Sequence, residues 1–256
     1  DFATLPWRTL AAFFVPALFG EWAPRLCDAA SIGPDKRALD VACGTGVVAR
    51  EAVRRGADVT GLDCNPGMLA VATRLAPAVD WHEGRAEALP FDDARFDAVT
   101  CQFGLMFFDD RVKALAEMAR VTRPGGALVV ATWDALERTP GYAAIVELLQ
   151  RLFGEEIAGT LRAPFVLGET GGLLELFDAA GLGDATVDTQ SGMARFPSIA
   201  DWVRTDIKGW TLAEAIDDVQ YAELQAAAQS ELQRFAAADG AVSFDAPAHI
   251  VTVVKR

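Results

Sequence analysis

Leu39-Asp40-Val41-Ala42-Cys43-Gly44-Thr45-Gly46 reads as a short apolar strand that runs into a glycine loop, and the loop opens a helix over Val47 to Arg55. Glycine lets the chain turn tightly and brings backbone N–H groups closer to a ligand than any Cβ would allow. The next predicted strand, Ala57 to Leu62, ends in Asp63, about twenty residues past the first glycine, where a carboxylate accepts hydrogen bonds from both hydroxyls of a ribose. Loop and carboxylate together describe a site for a nucleoside-containing cofactor.

Two cofactors compete for it. Gly44-Thr45-Gly46-Val47-Val48-Ala49 satisfies the G-x-G-x-x-A form of the dinucleotide fingerprint, which keeps a nicotinamide-dependent oxidoreductase open. A pyrophosphate on the helix N-terminus would be repelled by a further carboxylate in the same loop, and Asp40 is one. S-adenosylmethionine carries an ammonium and a sulfonium and no phosphate, so the charge pattern favours it.

Further motifs follow in order. The chain resembles the class I S-adenosylmethionine-dependent methyltransferases, in the small-molecule branch that includes ubiquinone/menaquinone-biosynthesis-like enzymes. Leu39 to Gly46 is similar to their first motif, and Gly61-Leu62-Asp63-Cys64-Asn65-Pro66-Gly67-Met68-Leu69 to their second. Gly84-Arg85-Ala86-Glu87-Ala88-Leu89-Pro90-Phe91 resembles the adenine-edge loop, and Phe96 to Phe108 the fourth strand with the loop beside the methyl group. Arg123-Pro124-Gly125-Gly126 resembles the turn before the fifth strand. The resemblance runs from Arg37 to Trp133. It implies S-adenosyl-L-methionine as cofactor, S-adenosyl-L-homocysteine as product, and cofactor contacts from Asp40, Ala42, Gly44, Gly46, Asp63, Cys64, Met68, Ala86, Glu87, Cys101 and Gln102, with Met68 on the adenine face. The chain departs from many relatives at Arg85, where they carry an acidic residue, which leaves the backbone N–H of Ala86 for the adenine amine.

Short β-rich runs at Arg37 to Ala42, Ala57 to Leu62, Val79 to His82, Ala94 to Cys101 and Ala127 to Trp133 alternate with helical patterns at Val47 to Arg55, Pro66 to Ala76 and Arg111 to Val121. This is the pattern of a parallel sheet with helices on both faces, a doubly wound α/β fold whose ligands sit beyond the carboxyl ends of the strands. Helices are expected at Tyr142 to Phe153, Gly172 to Ala180, Ser198 to Lys208 and Leu212 to Ala237, and strands at Ala185 to Ser191 and His249 to Val254. That gives a mostly parallel seven-stranded, Rossmann-like sheet. By the resemblance its last strand is antiparallel, and it is expected at an edge. Residues 1–34 are expected as a helical lid or cap, 35–134 as the cofactor-binding half of the core, and 135–256 as the rest of the core with helical insertions over the substrate, all in one domain. Candidate substrate-lining residues are Phe14, Phe103, Trp133, Phe165, Trp202 and Trp210.

The 256 residues are 52% hydrophobic and 23% charged, enough for one substantial core. The formal net charge of -13, with 23 Lys and Arg along the chain, argues against a nucleic-acid or anionic-membrane partner. Cys27, Cys43, Cys64 and Cys101 lack the spacing of a zinc site or a disulfide framework, so they are expected as reduced, mostly buried thiols of a cytoplasmic protein, and no metal is expected. Leu10 to Gly20 is apolar but is broken by Pro16 and falls short of the roughly 20 residues of a membrane span. The chain opens at Asp1, so a true start is expected upstream. A monomer or homodimer is expected.

Methyl transfer is an in-line displacement. Holding the reactants in near-attack geometry supplies up to roughly 7 to 11 kcal/mol, so a dedicated base is not obligatory, although a phenol or hydroxyl acceptor would benefit from one. His82 and His249 both read as structural, Asp134 reads as a solvated loop carboxylate, and no base is assigned. The aromatic cap suggests a small apolar or aromatic acceptor. A non-catalytic protein binding the same cofactor stays open, because the motifs describe binding rather than turnover.

Overall fold

The computed structural model describes residues 10–208, 212 and 215–256. Among the described residues seven strands form one sheet, in the order β3-β2-β1-β4-β5-β9-β6. They are β1 (Arg37–Val41), β2 (Asp58–Asp63), β3 (Asp80–Glu83), β4 (Phe96–Gln102), β5 (Thr122–Trp133), β6 (Thr186–Gln190) and β9 (Ala248–Val254). The first five pair in parallel, whereas β9 runs antiparallel to both β5 and β6. The antiparallel last strand is therefore as expected, but its place is not. β9 is interior, and β6 forms the edge. Burial explains this: Ala248 to Val251 are all buried, which an edge strand with one open side does not require.

α1 (Leu10–Phe19) precedes α2 (Trp22–Ala29), which packs on α3 (Val47–Arg54), with α4 (Pro66–Leu75) and α5 (Arg111–Val121) completing the parallel half. Pro16 lies inside α1 and has no N–H to give, and the helix is wound wide, closing with Gly20 N–H on Val15 O at 2.6 Å, five residues back. The start of α4 is fixed by sequence: Asn65 Oδ1 accepts from Gly67 N–H (2.9 Å) and Met68 N–H (3.1 Å), and Pro66 fills the first helical position.

Beyond β5 come α6 (Pro140–Phe153), α7 (Glu155–Arg162), α8 (Thr170–Ala179), α9 (Ile199–Lys208) and α10 (Asp218–Glu231), with a separate antiparallel pair, β7 (Met193–Phe196) and β8 (Val242–Asp245). The sequence reading placed no element at α7, β7 or β8. It also took Leu212 to Ala237 as helix, where α10 is shorter because Asp217 and Gln220 form a capping box that starts it at Asp218. Among the described residues no helix is long and apolar enough to cross a membrane.

Candidate active site

A cleft of ≈ 130 Å³ opens beyond the carboxyl ends of β1 and β2, where a doubly wound sheet places its ligands. Ala42, Asp63, Cys64, Ala86 and Glu87 line it, together with Arg85, Phe107, Phe108 and Asp109. Asp63 ends β2 and ties the site together. Its Oδ2 accepts from Gly44 N–H and its Oδ1 from Asn65 N–H, both at 2.8 Å, while burial raises its pKa. Gly44 has φ +55, and the Met68 sulfur lies 3.6 Å from where a Gly44 Cβ would stand. Ala42 and Phe103 also adopt positive φ, 54° each, just past β1 and β4, and a Cβ on Gly104 would come within 2.7 Å of Ala42 Cβ. Left-handed backbone at non-glycine residues is costly and concentrates at functional sites.

Asp40 is buried beneath this loop. Its Oδ2 accepts from the N–H of Ala49, the third residue of α3, at 3.0 Å, and its Oδ1 lies 3.4 Å from Thr100 Oγ1. Burial, with a smaller contribution from Asp63, pushes its pKa up to about 7. The anion position at the head of α3 is thus already filled by a carboxylate.

Other candidates lie apart from the cleft. Gly46, with φ +78, faces Trp81: a Cβ there would fall 2.5 Å from the indole, and one on Gly61 would fall 2.3 Å from it. Cys101 is wholly buried, with its thiol pushed up to about 12 by burial, whereas Cys64 is exposed rather than the buried thiol expected. Gln102 Nε2 donates to Phe19 O at 3.2 Å, and its Oε1 is buried without a partner. The cleft rim is held by Glu87 Oε1, an expected site residue whose partner Asp109 sequence reasoning missed. It accepts from Asp109 N–H (3.1 Å) and Arg85 Nη2 (3.3 Å), while Arg85 also pairs with Asp109 at 2.5 Å.

A second, smaller cavity of ≈ 10 Å³ lies between α1, the end of β5 and the inserted helices. Trp133 and Phe165, two of the expected substrate residues, line it with Phe19, Thr139 and Tyr142. Phe103 stacks flat on Trp133, with centroids 3.7 Å apart and planes 4° from parallel, and Phe14 stacks on Phe19 at 5.7 Å. Trp202 does not reach this cavity. It is wholly buried against Phe196, Phe235 and Phe244, because α9 turns its apolar face onto the β7–β8 pair. Trp210 lies outside the described residues.

Asp134 is buried rather than solvated. Its Oδ1 accepts from Ala135 N–H at 2.7 Å and lies 3.4 Å from His249 Nε2. His249 is buried and satisfied by Gly168 O and Thr189 Oγ1, both at 2.8 Å, a structural role as expected. His82 pairs with Asp80 at 2.8 Å. Among the described residues no group of His, Cys, Asp and Glu is arranged to hold a metal.

Residues 39–130 match the family described as methyltransferase domain. The chain is 45% identical over 130 residues to a demethylmenaquinone methyltransferase of Renibacterium salmoninarum, covering 51% of this chain and 55% of the relative. It spans about half the length of the curated relatives it matches. Among solved structures, the YcgJ protein of Bacillus subtilis aligns over 92% of this chain and 98% of its own, with 21% identity and a TM-score of 0.62. Phosphoethanolamine N-methyltransferase 2 of Haemonchus contortus, solved with S-adenosyl-L-methionine, aligns over 92% of this chain and 52% of its own, with 18% identity and a TM-score of 0.57. At these identities the two structures speak for the fold.

Proposed function

We propose that this chain, which carries a class I methyltransferase domain, transfers a methyl group from S-adenosylmethionine to a small apolar or aromatic molecule. The observation that carries this reading is Asp40 on the head of α3. Its carboxyl group takes one N–H of the helix's first turn, that of Ala49, where a further anion would be repelled, which disfavours a dinucleotide and favours a cationic amino acid moiety. The residues of the cleft fit that cofactor. Each Asp63 oxygen keeps a lone pair beyond its bond to backbone N–H, which serves the two ribose hydroxyls. Ala86 offers its backbone to the adenine edge, with Met68 beside Gly44.

When bound, S-adenosylmethionine supplies an electrophilic methyl on a sulfonium whose charge vanishes as the methyl leaves. The protein's part is alignment and exclusion of water. The Phe103–Trp133 stack stands between the region of Ala42 and the aromatic cavity, and α1 closes over it through the Gln102–Phe19 bond. We assign the aromatic cavity to the methyl acceptor. All of its lining residues fall outside 39–130, so the family match speaks for the cofactor half and leaves the acceptor to this chain's own residues. The acidic balance supports a small molecule over a nucleic acid as acceptor, and four free thiols support a reducing, cytoplasmic setting.

The test is acceptor-dependent formation of S-adenosylhomocysteine, beginning with demethylmenaquinone, the compound in the name of the Renibacterium relative, and continuing through simple phenols and arylamines. Calorimetric binding of S-adenosylmethionine without NAD(H) binding is expected. Binding of the nicotinamide nucleotide alone would overturn the proposal.

A further inference from the structure

The aromatic cavity holds a polar side chain that the fold leaves unused. Thr139 occupies the position that precedes α6, where a threonine hydroxyl ordinarily accepts a hydrogen bond from the first turn of the helix. Here its side chain makes no such bond. Thr139 is fully buried, its Oγ1 has no hydrogen-bond partner, and it lines the cavity. The other hydroxyl on that lining, Tyr142, is already committed, donating to Asp206 Oδ1 at 3.2 Å. A buried hydroxyl that neither caps its helix nor finds a partner is uncommon in folded proteins and marks a place where a partner is missing.

Two partners fit. A trapped water is one, since the present space is close to the smallest that holds one. A water needs two or more polar neighbours, and besides Thr139 the side chains of the lining offer only the Tyr142 hydroxyl, already bonded, and the indole N–H of Trp133. A ring compound with one polar atom satisfies the site better: the ring meets Trp133, Phe19 and Phe165, and the polar atom meets Thr139.

We infer that Thr139 is the specificity-determining contact of this cavity, its hydroxyl bonding the hydroxyl or carbonyl oxygen of a flat apolar ring system. The inference rests on the methyltransferase reading only in calling that compound the methyl acceptor; the binding itself stands on the cavity. Seating a ring requires the lining to move apart, because the present space is too small.

The test uses a shape-matched pair, 1-naphthol and 1-methylnaphthalene, in equilibrium dialysis against the wild-type protein, Thr139→Val and Thr139→Ser. Expected is a loss of about tenfold in 1-naphthol affinity for Thr139→Val, retention in Thr139→Ser, and 1-methylnaphthalene binding unchanged throughout. Thr139→Val removes an unpartnered buried hydroxyl, so its thermal stability should equal or exceed wild type, and a folding defect cannot imitate the result. Equal 1-naphthol affinity in wild type and Thr139→Val would mean that the hydroxyl meets only a trapped water, and absence of binding by both probes would mean that the cavity takes no ring. Either overturns the inference. A parallel titration with S-adenosylmethionine separates the two claims, since its failure overturns the methyltransferase reading and leaves the dialysis result standing.

Discussion

The backbone N–H of Gly44 donates to Asp63 Oδ2 at 2.8 Å, so the glycine loop after β1 is pinned by the carboxylate that ends β2. Asp63→Ala removes that pin along with the ribose acceptors. Because hydrogen bonds to a charged group contribute about 1.5–3 kcal/mol, S-adenosylmethionine binding should weaken by at least about tenfold in calorimetric titration. Unchanged affinity in a folded variant would sink the binding mode.

Trp81 lies against Gly46 and Gly61, and its indole N–H donates to Ala76 O at 3.0 Å. Gly61→Ala drives a methyl group into the ring and should cost about 1–3 kcal/mol in urea denaturation. Shrinking the ring should relieve that clash. The double variant Gly61→Ala/Trp81→Leu is therefore expected to be more stable than the sum of the two single losses, and strict additivity would contradict the packing.

Cofactor binding should release protons. Asp40, with its pKa at about 7, is partly protonated near neutrality, and a bound ammonium or sulfonium stabilises its ionised form. Titrations at pH 6.5 in phosphate and in imidazole buffers should differ in apparent enthalpy, and Asp40→Asn should remove that difference. Equal enthalpies at pH 6.5 would place the cationic groups away from Asp40.

Asp206 sits fully buried in α9, and burial raises its pKa from 3.8 to about 7, against the smaller opposing effects of Tyr142 and Trp202. An acid with a raised folded pKa contributes most below the unfolded value and loses that contribution as pH climbs through the folded one. Stability should fall between pH 4 and pH 7 by up to a few kcal/mol from this group. Asp206→Asn should flatten that fall, with a higher Tm than wild type at pH 8 and little difference at pH 4.

The cleft beyond β1 and β2 was legible because its signals are local. Gly44, Asp63, Ala86 and Glu87 lie within short motifs whose spacing follows directly from strand, loop and helix, and the structure gathers Asp63, Ala86 and Glu87 in one cleft with Gly44 bonded to the first. What stayed hidden depends on distant partners. Trp202 reads equally as core or site until Phe196 and Phe244 are seen around it, and β7 finds its partner β8 only after two helices have intervened. Asp134 looked solvated because nothing nearby in sequence announces His249. Gly61, inside a buried strand, is a signal that could have pointed to a close neighbour such as Trp81, since a strand glycine often marks a close approach.

The interior place of β9 sets an order on synthesis. β6 is made some distance before β9 yet bonds to no other strand of the sheet, so it has nothing to pair with until the last strand leaves the ribosome. Until then the outer edge of β5 is open as well, and a nascent chain halted just short of Ala248 carries two bare strand edges, the form in which a sheet protein is most prone to join its neighbours.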